Sequence, residues 1–179
     1  MLESLTLEEY KNASDLFESD IYKEVNCDIN YIVIFLGGGM IMINITKIVP
    51  RYAETDQMGV IHHSVYAIYY EQARTEYFNK IGMRYDEIEK NGIMTPLVEL
   101  KCKYKRPAYY NQEIEIRTKL IELTPVKFTL EYDIYDKEEN LINIGKTTLA
   151  WSDAKTFKVL NLKKTQPEIY EKLETLIEK

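Results

Sequence analysis

Cysteine, histidine and tryptophan are scarce in this chain of 179 residues, with two, two and one copies respectively. Cys27 and Cys102 form no disulfide framework and no metal-ligand spacing, so a reducing, cytoplasmic compartment is the expectation. His62 and His63 are adjacent rather than four apart on a helix, which argues against a two-histidine metal site. Basic excess is missing as well: the formal net charge is −6, and no basic stripe follows a phosphate backbone. Nucleic-acid binding is therefore disfavoured. The apolar run Tyr31–Ile45 contains three glycines and falls short of the ~20 residues that cross a bilayer. Its upstream flank is acidic, the reverse of a signal peptide. Neither a membrane span nor a secretory signal is expected. Gly37–Gly39 lacks the pattern of a phosphate loop.

What is present is ordinary for one globular domain, with 45% hydrophobic and 29% charged residues. The charge is uneven. Residues 1–39 hold eight acids and two bases, whereas the remainder holds 21 of each. Leu5, Leu7, Tyr10, Leu16 and Phe17 line a short helix only loosely, and the three glycines break any element after them. Just beyond stand Met40 and Met42 and a clean strand pattern. Glycine codons ahead of methionine resemble a ribosome-binding site read as protein. Residues 1–39 are accordingly expected to be either sequence upstream of a true start at Met40 or Met42, or a genuine, variable N-terminal extension. Residues 40–179 form the expected domain.

Within that domain a first strand is expected over Ile43–Glu54, with Ile45, Ile48 and Tyr52 among its apolar positions and Pro50 marking an edge or bulge. Ser64–Ile81 reads as a helix apolar over most of its first two turns, which must be buried. Gly82 is placed to end it. A short helix over Met83–Asn91 and a strand over Ile93–Tyr104 follow. Glu113–Leu123 alternates, with Ile114, Ile116, Thr118 and Leu120 on one face. Lys127–Tyr135 does the same with Phe128, Leu130, Tyr132 and Ile134, and Asp136–Asn140 turns the chain into Leu141–Trp151. Pro167–Lys179 is an amphipathic helix with Ile169, Leu173, Leu176 and Ile177 on one side. Strands with one charged face predict an antiparallel sheet, solvated outside and curved around one helix. The fold class is α+β.

The chain is organised around Arg51–Phe78, RYAETDQMGVIHHSVYAIYYEQARTEYF. A strand feeds a loop holding Asp56, Gly59, His62 and His63, and the loop feeds the helix. A helix start near His63 and Ser64 offers free N–H groups and the positive end of the dipole, suited to a developing oxyanion. A carboxylate nearby can activate water or attack a carbonyl itself. Asp56 fits either role, and it equally fits a turn cap. The adjacent histidines are expected to point in different directions, one of them structural. Tyr66, Tyr69, Tyr70 and Tyr77 read as core, and the run Lys101–Arg106 (KCKYKR) as a solvated edge able to hold a phosphate.

These residues resemble the signature of hotdog-fold acyl-CoA thioesterases of the 4-hydroxybenzoyl-CoA thioesterase type. The elements in order are Asp56, Gly59 and Ile61, the pair His62 and His63, then Tyr66, then Glu71, Ala73 and Arg74. Tyr104–Ile114 is similar to the family's strand-turn-strand, with Asn111 and Gln112 replacing a Gly and its neighbour. The resemblance covers about residues 43–165.

It implies a hotdog fold, a homodimer or homotetramer, and an active site at the subunit interface. It also implies hydrolysis of acyl-CoA to acid and CoA without metal or redox cofactor. Asp56 is the implied catalytic carboxylate, the His63 N–H polarises the thioester carbonyl, and the His63 side chain helps position water or the acyl group. Gly59, Ile61, His62, Ser64, Tyr66, Glu71, Lys105 and Arg106 are the implied substrate contacts, Glu71 being a reserve carboxylate. An acyl carrier protein thioesterase and a non-catalytic acyl-CoA-binding module are the alternatives.

Overall fold

Three strands follow directly from two-residue alternation. In β6 (Ile114–Leu123), β7 (Lys127–Tyr135) and β8 (Leu141–Ala150), the inward positions are buried and most of their neighbours are half-buried, Thr129, Ile142 and Thr148 being buried as well. Ile114, Ile116, Thr118, Leu120, Phe128, Leu130, Tyr132 and Ile134 all point inward, as the alternation predicts. Charged residues on the outer face pair across strands, as in Lys119–Glu131 at 2.9 Å and Lys146–Glu131 at 2.8 Å. The computed structural model describes residues 21–26, 31–36 and 39–177, so the loose helical pattern of residues 1–20 lies outside the described residues.

The described sheet is antiparallel, in the order β1 (Ile21–Asn26), β2 (Tyr31–Leu36), β3 (Gly39–Ile48), β6, β7, β8, β5 (Leu97–Tyr104). It curves around α1 (Val65–Lys80). A small second sheet pairs β4 (Ile93–Met94) with β9 (Ser152–Asp153). Short helices α2 (Tyr85–Lys90), α3 (Leu162–Thr165) and α4 (Pro167–Glu174) close the ends. Among the described residues no helix is long and apolar enough to cross a membrane.

Packing, not propensity, fixes α1. Its four tyrosines and Val65 each cost roughly 0.5 kcal/mol against alanine, whereas burying one such side chain contributes about 2 kcal/mol. Tyr66, Tyr69, Tyr70, Tyr77 and Phe78 are all buried. Gly82 sits just past the helix at φ +67°, a left-handed conformation that costs glycine little.

Expectations for β3, β5 and α1 need correction. β3 ends at Ile48, since proline at position 50 has no N–H for a ladder. Tyr52 lies instead in a single 3-10 turn, Tyr52–Glu54, and is exposed. Within β3 the inward set is Met42, Asn44, Thr46 and Ile48, which turns Ile45 to the outer face. The break expected at the three glycines falls between two strands of one sheet: β2 ends at Leu36 and β3 opens at Gly39. The strand expected over Ile93–Tyr104 is two strands broken at Thr95–Pro96, and β5 is exposed along most of its length. Finally, α1 is not buried all round. Ala67, Ile68, Glu71 and Gln72 form an open face.

Burial pushes the phenols of Tyr66 and Tyr132 up to about 12, and those of Tyr69, Tyr70 and Tyr77 also upward. The unfolded chain ionises its tyrosines near pH 10. Stability is therefore fully present below about pH 10 and is lost as pH rises through about 12, because the unfolded state sheds protons first. Tyrosinate absorbance of the buried set should appear together with loss of the circular dichroism signal. Full tyrosine ionisation with a native spectrum would refute this.

Candidate active site

Asp56 begins a tight loop. Its N–H donates to the Val60 carbonyl at 2.9 Å, and the Gly59 N–H donates to the Asp56 carbonyl at 3.0 Å. Thr55 and Ile61 are bridged across the base of the loop. Gly59 adopts φ +76°, the left-handed position this turn requires. The Met58 N–H donates to Asp56 Oδ1 at 2.8 Å, so the turn-cap reading is realised. Only one oxygen is used. Oδ2 accepts no hydrogen bond among the described residues, and the side chain is half-buried.

The helix start is left open. Ser64 makes no capping bond, and no acid occupies the first turn of α1. Its hydroxyl instead meets His62 Nδ1 at 2.8 Å, and its N–H donates to the same nitrogen at 3.3 Å. The His63 N–H has no acceptor among the described residues. The positive end of a 16-residue helix thus faces outward beside exposed His63 and Ser64. The two histidine rings do not diverge as adjacency suggested. Their centroids are 4.0 Å apart at 35°, because the chain turns here rather than running extended.

β5 and the segment after it hold this junction in place. The Tyr104 hydroxyl donates to the His63 carbonyl at 2.9 Å, and its ring meets buried Tyr66 edge-on at 5.2 Å. The buried Ile61 donates its N–H to the Ala108 carbonyl at 2.9 Å, and Val60 bridges Tyr109. Exposed Lys105 and Arg106 immediately precede that pairing. Their N–H groups donate to the Ile142 carbonyl, and the Arg106 guanidinium donates to Asn140 at 3.0 Å. Asn111 takes φ +59°, so asparagine fills the left-handed position of the expected glycine.

Glu71 lies on the open face of α1, and its carboxylate has no partner among the described residues. Arg74 turns inward and donates to Tyr85 at 3.1 Å, which makes it structural.

Sequence reasoning missed Glu54. Its buried carboxylate accepts from the Arg51 N–H at 2.7 Å, from the Arg51 guanidinium at 2.9 and 2.7 Å, and from the Tyr69 hydroxyl at 2.8 Å. Burial acts to raise its pKa, but these donors outweigh burial and hold it below the usual carboxylate value. The three-residue spacing of Arg51 and Glu54 was the available signal.

Residues 50–173 match the family model described as the thioesterase-like superfamily. YneP of Bacillus subtilis, itself provisionally described as an acyl-CoA thioesterase, is 31% identical over 122 residues, covering 68% of this chain and 88% of YneP. The Escherichia coli acyl-CoA thioester hydrolase YbgC is 25% identical over 119 residues, covering 64% and 85%. A DHNA-CoA thioesterase structure from Staphylococcus aureus superposes with a TM-score of 0.71 at 34% identity, covering 74% of this chain and 89% of that one. With this sheet, this central helix and this loop, the chain belongs to the thioesterase-like superfamily and carries the hotdog fold of its thioester hydrolases.

Proposed function

We propose that the protein hydrolyses acyl-CoA thioesters to a free acid and CoA. The observation that carries this is the juxtaposition of Asp56, whose Oδ2 has no partner among the described residues, and an uncapped helix start whose His63 N–H lacks an acceptor among them. The His62 N–H donates to the Glu54 carbonyl at 2.8 Å, which holds the chain just before the helix start beside the segment that carries Asp56. A carbonyl on the N–H and a water on Asp56 are then each held by one hydrogen bond.

Asp56 takes a proton from water as the oxygen attacks the thioester carbon. The His63 N–H and the helix dipole stabilise the oxyanion. The C–S bond then breaks, and the thiolate takes the proton from Asp56 and leaves as CoA. Direct attack by Asp56 through an acyl anhydride is the alternative route with the same residues. Lys105 and Arg106 are the groups for CoA phosphates, and His62, Ser64 and Tyr66 shape the reacting end. Release of free thiol from acetyl, medium-chain, long-chain and aromatic CoA thioesters tests the reading. No release from any of them overturns it.

A second copy of the chain is the proposed partner. β5 leaves one backbone edge unpaired among the described residues and exposes Leu97, Val98, Leu100 and Tyr104. Such an edge needs a cover. Tyr104 touches the helix start, so a copy on β5 stands beside the site. Sedimentation should give a dimer or a multiple of it, and a monomer at assay concentrations would refute the pairing.

A further inference from the structure

Among the described residues, Glu54 is the one buried carboxylate near the site that the mechanism above leaves idle, and it joins three pieces of backbone. Through Arg51 its side chain holds the 3-10 turn that delivers the Asp56 loop. Through Tyr69 it holds α1, one turn and a half after the helix start. Its carbonyl accepts the His62 N–H at 2.8 Å and so holds the returning strand of the loop. A cleft of about 410 Å³ borders it, lined by Lys47, Val49, Ile68 and Gln72 as well as by Arg51 and Tyr69. Beside this cleft, four hydrogen bonds from Arg51 and Tyr69 fix the carboxylate.

We propose that Glu54 is a positioning residue of the thioesterase site, bracing the Asp56 loop at a set span from the start of α1. The inference rests on the reading of Asp56 and the His63 N–H as the reacting groups. Its physical basis is the steep dependence of rate on alignment, where a misplacement of about 1 Å costs on the order of 10²-fold. Arg51 donates three of the four bonds to the carboxylate and comes from the same turn, so it orients Glu54. Tyr69 is the only link from the carboxylate to the helix among the described residues. Loss of that link leaves the fold intact, because the ring itself stays buried at 2% exposure. What is lost is the fixed relation between base and oxyanion donor.

Tyr69→Phe is the sharpest test, with Glu54→Gln beside it. The control is Thr55→Ala, which removes a hydroxyl bond of 2.7 Å to the Tyr52 carbonyl in the same turn without touching the brace. Tyr69→Phe should lower kcat about tenfold at unchanged KM and unchanged melting temperature, and Glu54→Gln about 30-fold or more, as misalignment predicts. Thr55→Ala should keep the parent kcat. Parent kcat in Tyr69→Phe overturns the proposal, and so does an equal fall in Thr55→Ala, which would mark general loosening. Asp56→Asn is run in parallel. An active Asp56→Asn defeats the reading of the site itself, whereas an inactive one beside an unimpaired Tyr69→Phe defeats only the brace.

Discussion

Asp56→Asn should lower turnover of the best acyl-CoA substrate by about 10²–10⁴-fold, the range for removing a general base. The fold should survive. The Asn side-chain oxygen can still accept the Met58 N–H that now goes to Oδ1, so the turn keeps its cap. Gly59 and the Val60 pairing are backbone features and are unaffected. The site is half-buried, so the neutral amide brings no large desolvation change. Because ground-state binding uses other groups, KM should move little and the loss should fall on kcat. A variant with near-parent turnover and an intact melting transition would remove Asp56 from the reaction.

A single-turnover reaction in heavy-oxygen water distinguishes water activation by Asp56 from an anhydride that water opens at the Asp56 carbon. If Asp56 activates water, the first acid released carries the heavy oxygen. If Asp56 attacks the carbonyl and water opens the anhydride at the Asp56 carbon, the first acid carries the protein's own oxygen and Asp56 gains the label. Both routes need the same residues, so the static geometry suits either.

The parts legible in the sequence are those where one face is fully apolar. β6 and β7 read correctly because every inward position but Thr118 is apolar or aromatic. β3 misled because its polarity is inverted. Asn44 and Thr46 face the helix, where the Thr46 hydroxyl donates to Glu76 at 2.5 Å and Asn44 donates to Thr46 at 3.0 Å. Ile41, Ile43 and Ile45 take the outer face instead. β5 kept its alternation yet buries little, since it is the edge of the sheet. At the site, the Asp56–Gly59 turn and the helix start were visible because their signals are local. Glu54 was not, because its role depends on a hydroxyl 15 residues later and on a carbonyl contact across the loop.

Gly145→Ala should be the most damaging single-methyl change in the core. In the sheet, Gly145 lies opposite Tyr132 on one side and Cys102 on the other. A row with nothing at its centre makes a trough, and Tyr70 of α1 fills it. Its ring stacks on Tyr132 at 4.6 Å and 16°, while its hydroxyl donates to Asn143 and lies 3.2 Å from Cys102 Sγ. A Cβ at position 145 would stand 2.2 Å from Tyr70 Cζ and 2.4 Å from its oxygen. Cζ is the ring carbon that bears the hydroxyl, and the side chain has no exposure, so the ring cannot swing away. Overpacking costs about 1–3 kcal/mol and occasionally more, and a displaced phenol leaves the buried Asn143 Oδ1 without its donor, at about 1–3 kcal/mol more. The sum is a large part of a typical stability of about 5–15 kcal/mol. Urea unfolding should show a lower midpoint at an unchanged slope. Trimming the obstruction in the double variant Gly145→Ala with Tyr70→Leu should cost less than the two single changes added together. Additive losses, or a Gly145→Ala midpoint equal to the parent's, would show that the ring yields and that the trough is not what holds α1 to the sheet.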